Sequence, residues 1–354
     1  MNSATLESPP APPPSLVTLT GGFAGTRQST FPKVRPPGYF SPDADPAAIK
    51  AFYQANGYFV LENGFTPAEI EALKRETTLI CRGDRGELPD HPKAEAAESD
   101  ESVLSRFLCI HFPHKCSEVM LSAIHSQPTV KALTTIIGPN VKCMQSMLFI
   151  KSSGKPGQAW HQDEDYIATR DRSLVGAWIA MDRATTDNGC LWVMPGSHRA
   201  GILWEQQWHG DRRFDCASQS VGFPYTDDQS IPVEVEAGSV VFFNGYLLHR
   251  SMPNHAPAGT YRRSLVNHFM SCESHLPWGK LAENDHIAHF DFRDVIIVAG
   301  QDPYAWKGYS DLNRPSVRPS GQGGCAKGGG DSLKYKDEVA AAAAAAAATT
   351  STKP

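Results

Sequence analysis

Two histidines and an aspartate carry the first chemical suggestion in this chain. In Trp160-His161-Gln162-Asp163 an imidazole and a carboxylate stand two residues apart, a spacing that points both side chains to one face of an extended strand. A third donor lies far downstream in Leu248-His249-Arg250-Ser251, just after a strongly apolar run. Two imidazoles and one carboxylate suit one face of an octahedral iron site and leave the other positions open. Taken alone, His-x-Asp says little in a chain with 13 histidines, where a hydrogen-bonded surface pair is the ordinary explanation. The rest of the frame gives it weight. After His249 come Asn254 and then Arg262 and Arg263, opening a β-like run. A guanidinium fork grips a carboxylate with two hydrogen bonds, which suits the far end of 2-oxoglutarate while its keto-acid end chelates iron. Asp165 shares strand parity with Asp163 and could replace it, and His198 and His255 are the reserve imidazoles. His111, His114 and His125 have no ligand-like neighbours in sequence and read as surface or packing residues.

Such residues need a β scaffold to bring them together. From Lys142 onward, short β-like runs alternate with turn chemistry: 143–151, 174–181, 189–194, 231–235, 239–243 and 262–270, punctuated by Asn188-Gly189, Pro195-Gly196 and Ala237-Gly238. Many short strands with such turns predict a sandwich or barrel rather than βαβ units, and a jelly roll is the expected form. The helices are expected earlier. Asp45-Pro46 opens one over 47–56, Thr66-Pro67-Ala68-Glu69 offers a capping box for a second reaching Cys81, and two more cover 117–124 and 128–137. A strand over 57–61 separates the first two.

Composition sets the outer limits. Residues 1–40 read as a disordered, Pro-rich leader and 309–354 as a disordered Gly/Ala-rich tail, since neither can bury enough apolar surface to order itself. The folded part, 41–308, divides into a helical stretch 41–138, a core 139–275 and an extension 276–308. The net charge of −5 has no stripe of Lys and Arg, which argues against a nucleic-acid partner. No apolar run outside the alanine tract approaches the roughly 20 residues of a membrane span. Eight scattered cysteines without a CxxC pair predict a reducing, intracellular and cytoplasmic setting. The Ser/Thr/Pro-rich leader leaves an organelle transit peptide open. Nothing in the sequence sets an oligomeric state.

Several segments together resemble the phytanoyl-CoA dioxygenase (PhyH) family of Fe(II)/2-oxoglutarate-dependent oxygenases. They are Asn56-Gly57-Tyr58-Phe59-Val60-Leu61, Trp160-His161-Gln162-Asp163, Ala177-Trp178-Ile179-Ala180-Met181 through Asn188-Gly189-Cys190-Leu191, Pro195-Gly196-Ser197-His198, Ala237-Gly238 to Phe243 leading to His249, and Arg262 in Tyr-Arg-Arg-Ser-Leu-Val-Asn-His-Phe. The resemblance covers about residues 45–275 and implies a mainly β protein with N-terminal helices around a double-stranded β-helix, or cupin-like jelly roll. It implies that His161, Asp163 and His249 ligate iron and serve as the catalytic centre, and that Arg262 and Ser251 bind the distal carboxylate of 2-oxoglutarate. Trp178 lines the same pocket, with Gln145 a further candidate.

The interval from His249 to the arginines is longer than the family's pattern, so Pro257-Ala258-Gly259 is expected to form an enlarged turn; aligning back from Asn267-His268-Phe269, whose counterparts close this strand in the resembling family, implies Arg262 rather than Arg263, and strand parity supports that choice. Arg262 shares a face with the small residues Ser264 and Val266, whereas Leu265 and Phe269 beside Arg263 suit packing between layers. The implied activity is hydroxylation of a small-molecule or acyl substrate, consuming O2 and releasing succinate and CO2, with ascorbate as activator. Two other classes compete: a non-catalytic jelly-roll metal- or ligand-binding protein, and a zinc hydrolase, which would have no need of a dicarboxylate anchor.

Overall fold

The structure, a computed structural model of the chain, describes residues 37–318 apart from 90, 92, 216–217 and 278–290. Most of the expected leader and tail, residues 1–36 and 319–354, therefore lies outside the described residues. Paired backbone nevertheless begins before residue 41 and continues past 308: Tyr39–Phe40 and Ser316–Arg318 are both short strands.

The larger sheet has nine strands. Its order is β1 (Tyr39–Phe40), β2 (Tyr58–Leu61), β11 (Val240–Asn244), β6 (Val175–Ala180), β13 (Tyr261–Ser271), β4 (Val141–Ser152), β3 (Cys109–His111) and β15 (Ser316–Arg318), with β14 (Ile296–Ala299) also paired to β4. A four-stranded sheet faces it in the order β10 (Ile231–Val233), β7 (Leu191–Val193), β12 (His249–Ser251) and β5 (Gln158–His161), and β8 (Glu205–Trp208) with β9 (Ser218–Val221) forms a separate hairpin. Apart from β1 with β2, the described strand pairs are antiparallel. This is the double-stranded β-helix that the pattern of short strands predicts.

Helices α1 (Pro46–Asn56), α2 (Pro67–Arg82), α3 (Asp100–Ser105), α4 (Glu118–Ile124) and α5 (Gln127–Ile136) are the described α-helices, all N-terminal to β4. Local chemistry sets the ends of the first two. The Asp45 carboxylate accepts the Ala47 N–H at 3.0 Å ahead of Pro46, and Thr66 and Glu69 complete the capping box of α2. Both helices stop at a glycine with φ of 81°, Gly57 and Gly83, in the left-handed region that side chains disfavour.

The larger sheet is buried on both faces because its strands alternate between two apolar partners. In β11, Val240 and Phe242 join Ile49, Ile70, Leu73, Met120 and Leu133 in the core beneath the helices, while Val241 and Phe243 join Leu191, Val193 and Val233 of the smaller sheet. Phe242 stacks on Phe59 with ring centroids 4.6 Å apart. The same alternation governs β13, sending Leu265 and Phe269 to the helix side and Val266 to the space between the sheets. The expected turn at Pro257-Ala258-Gly259 is present, closed by the Thr260 N–H donating to the Pro257 carbonyl at 3.1 Å, with Gly259 at φ 81°.

Candidate active site

The space between the sheets holds the residues that the spacing singled out. Strand β12 pairs antiparallel with β5 so that His249 lies directly across from His161. Gly157, just ahead of β5, permits this close pairing, since a Cβ there would overlap the Ser251 carbonyl oxygen. Gln162 stays extended after His161, which turns Asp163 to the same side and sends the Gln162 amide the other way. That amide donates to the carbonyls of Ile202 and Tyr246 at 2.9 and 2.7 Å and accepts from the Trp204 N–H at 2.9 Å, fixing the turn.

His161, Asp163 and His249 are all buried, and one donor atom from each lies within 4.8 Å of the others. Among the described residues no other trio of His, Cys, Asp or Glu donors converges in this way. His161 Nδ1 is 2.8 Å from the Ala159 carbonyl oxygen and His249 Nδ1 is 2.9 Å from that of Leu247. A carbonyl can only accept, so each Nδ1 donates, which leaves Nε2 as the ring atom turned toward the cluster. Both Nε2 atoms lie 3.6 Å from Asp163 Oδ1. Burial would raise the Asp163 pKa, but His249, His268 and His161 around it hold the carboxyl lowered, as an anion. Two inward imidazole nitrogens and a carboxylate are a donor set that fits a divalent transition metal.

A cleft of about 580 Å³, counting the part open to solvent, runs from this cluster to Arg262. The two arginines separate as parity requires. Arg263 forms a two-pronged pair with Asp182, Nε to Oδ2 at 2.8 Å and Nη2 to Oδ1 at 2.7 Å. Arg262, 3% exposed, points into the cleft, donates from Nη1 to Ser264 Oγ at 3.0 Å and lies 5.4 Å from the centre of the Trp178 ring. Its Nε is buried without a hydrogen-bond partner among the described residues. Burial lowers its pKa to about 10, which leaves it charged at neutral pH.

Ser251 and Trp178 also line the cleft. Gln145 is buried across from His268 but is not among the lining residues, which include Met147, Phe149 and Lys151 of the same strand. The alternatives lie elsewhere: Asp165 is exposed and outside the converging trio, His198 turns its Nε2 to the Gln54 carbonyl oxygen at 3.1 Å, and His255 is exposed.

Three residues at the site were not anticipated. Lys151, opposite Arg262 in the β4–β13 register, donates from Nζ to Ser251 Oγ at 3.1 Å and to the Met252 carbonyl at 2.8 Å. Burial, and then Arg262, drive its pKa well down. The Tyr166 hydroxyl donates to Asp163 Oδ1, and His268 Nε2 lies 3.0 Å from Asp163 Oδ2. For His268 the available signal was parity, since it stands six residues from Arg262 on one strand.

The phytanoyl-CoA dioxygenase (PhyH) family model matches residues 53–264, a span that contains the trio, Ser251 and Arg262. Phytanoyl-CoA dioxygenase domain-containing protein 1 of Mus musculus is 32% identical over 258 residues, covering 60% of this chain and 85% of that protein. Phytanoyl-CoA dioxygenase 1 of Oryza sativa subsp. japonica is 27% identical over 244 residues, with the same two coverages, 60% and 85%. Among solved structures, the apo form of ThoJ, a non-heme monooxygenase, superposes with a TM-score of 0.55 at 17% identity, covering 83% of this chain and 94% of its own. At that identity the likeness speaks to the fold.

Proposed function

The chain belongs to the phytanoyl-CoA dioxygenase family, and from that premise we propose that it is an iron(II)- and 2-oxoglutarate-dependent dioxygenase that hydroxylates a small-molecule or acyl substrate. The observation that carries the proposal is a single cleft with three converging metal donors at one end and, at the other, a buried guanidinium whose Nε has no hydrogen-bond partner among the described residues. His161, Asp163 and His249 would hold the iron. When bound, iron(II) supplies the redox chemistry that couples O2 to decarboxylation of 2-oxoglutarate, one oxygen atom entering succinate and the other the substrate, with release of CO2.

The protein's residues position and isolate that chemistry. The carbonyls of Ala159 and Leu247 fix both imidazole rings with Nε2 inward. Arg262 receives the distal carboxylate of 2-oxoglutarate, the Ser251 hydroxyl adds a second donor, and the Trp178 indole forms the wall beside them. Leu108, Met147, Phe149 and Phe243 line the cleft with apolar surface, which excludes water and strengthens the pairing of carboxylate with guanidinium. Ascorbate, as an external reductant, sustains turnover.

The test is direct. Protein reconstituted with Fe(II) is supplied with 2-oxoglutarate, O2 and ascorbate, and succinate is measured alone and with a panel of candidate metabolites. Slow succinate release, accelerated by the true substrate, is expected. Protein that neither binds 2-oxoglutarate nor makes succinate with any candidate would overturn the proposal.

A further inference from the structure

The two oxygens of Asp163 face different surroundings. Oδ1 is directed at both imidazole Nε2 atoms, 3.6 Å from each, and accepts from the Tyr166 hydroxyl with one lone pair, whereas Oδ2 is 3.0 Å from His268 Nε2. Both the Asp163 and His268 side chains are 2% exposed, so water does not compete for this contact. An ionised carboxylate can only accept, and His268 Nε2 is therefore the donor. We propose that His268 is a positioning residue of the metal centre, holding Asp163 through Oδ2 so that Oδ1 alone is presented to the ion. This rests on the iron reading above and deepens it.

Carboxylates bind cations through one oxygen or two, and a side chain with both oxygens free can rotate into the two-oxygen mode. That mode would occupy a position on the ion which the co-substrate needs. A donor locked on Oδ2 prevents it. His268 is built for such a task by its backbone: the register between β13 and β4 slips between His268 and Phe269, and a slip of this kind re-aims a side chain. The same face of β13 carries Arg262, so one strand holds both the carboxylate ligand and the co-substrate anchor. The other ring nitrogen, Nδ1, is buried with no hydrogen-bond partner among the described residues, as is Oε1 of Gln145 across the strand pair. The contact to Asp163 is thus the ring's one described polar engagement.

The experiment uses the full chain and the metal alone. Wild type, His268→Leu and His268→Gln are titrated anaerobically with Fe(II) and with Co(II) against a competing chelator, and the visible absorption of bound Co(II) reports coordination number. Loss of the donor is expected to weaken Co(II) binding about 10- to 100-fold and to shift the Co(II) spectrum, while His268→Gln, which keeps an N–H donor, recovers most of the affinity and the wild-type spectrum. A folded His268→Leu protein with wild-type affinity and spectrum overturns the inference. If the Leu variant does not fold, His268→Met takes its place. Failure of both to fold beside a folded His268→Gln protein would assign His268 to packing and also overturn it. Wild-type protein that binds neither Fe(II) nor Co(II) defeats the iron reading itself, a separate outcome from a normal His268→Leu variant.

Discussion

Replacing Arg262 or Arg263 by alanine should have opposite consequences, although the two residues are neighbours. Arg262 is buried, faces the cleft and has a guanidinium nitrogen without a hydrogen-bond partner among the described residues. Its removal leaves the distal carboxylate of 2-oxoglutarate in a dry pocket without its cation, a loss of about 2–5 kcal/mol. Lys151 and Ser251 remain nearby, so the lower part of that range, about 2–3 kcal/mol, applies, and at about 1.4 kcal/mol per decade the expected loss is about 30- to 150-fold in affinity. Arg263 instead grips Asp182 on the helix side, with both side chains largely buried at 16% and 15% exposure. Arg263→Ala should cost about 1–3 kcal/mol of stability and leave 2-oxoglutarate affinity within a few-fold of wild type. Anaerobic titration of iron-loaded proteins with 2-oxoglutarate, followed by calorimetry, measures both affinities; urea unfolding measures both stabilities. A reversed order of affinities, in proteins shown to be folded and metal-loaded, would refute the assignment of the anchor.

Three further outcomes are expected. His161→Ala and His249→Ala should each abolish stable Fe(II) binding, with Asp163→Ala nearly as severe, because two remaining donors hold the ion poorly against water; a His variant with full metal content would show that the ligands are misassigned. Phe242→Ala removes a fully buried ring stacked on Phe59 and should lower stability by about 3–5 kcal/mol, as read by urea midpoint; a loss below 1 kcal/mol, a rough lower bound for such a cavity, would contradict the packing described. His114 is buried with Nδ1 2.6 Å from Ser146 Oγ, and burial, then Lys115, lower its pKa from 6.5 to about 4. The unfolded chain therefore takes up the proton first, so this contribution is present above pH 6.5 and lost as pH falls toward 4, by about 1–3 kcal/mol. His114→Gln should flatten that part of the stability profile, and an unchanged slope would count against the buried neutral ring.

Much of the frame was legible because it depends on local chemistry. Asp45 and Thr66 announce helix starts through their own side chains, and the strands of the core carry alternation that survives in any register. The converging trio was legible for a similar reason: one extended residue, Gln162, suffices to place His161 and Asp163 on one side. What escaped depends on pairing between distant strands. Lys151 reads as the polar end of an apolar strand until the register sets it against Arg262, and His268 reads as one histidine among many until β13 lays it beside Asp163. The three-residue strands β3 and β15 are too short for periodicity to show. Gln145 shares its face of β4 with Met147, Phe149 and Lys151, and the described lining of the cleft begins at Met147.

The facing of His161 and His249 across β5 and β12 also bears on when the chain could capture an ion. The two donors are 249 − 161 = 88 residues apart in sequence, so no local fragment contains the full set. A nascent or partly folded chain offers at most His161 and Asp163 together. The third ligand arrives only once the intervening loop has closed, an event whose entropic cost grows slowly with loop length and which belongs to the late, non-local stage of folding a β architecture. On the proposed ligand set the cation would bind the completed topology rather than nucleate it, and its uptake would follow closure of the smaller sheet.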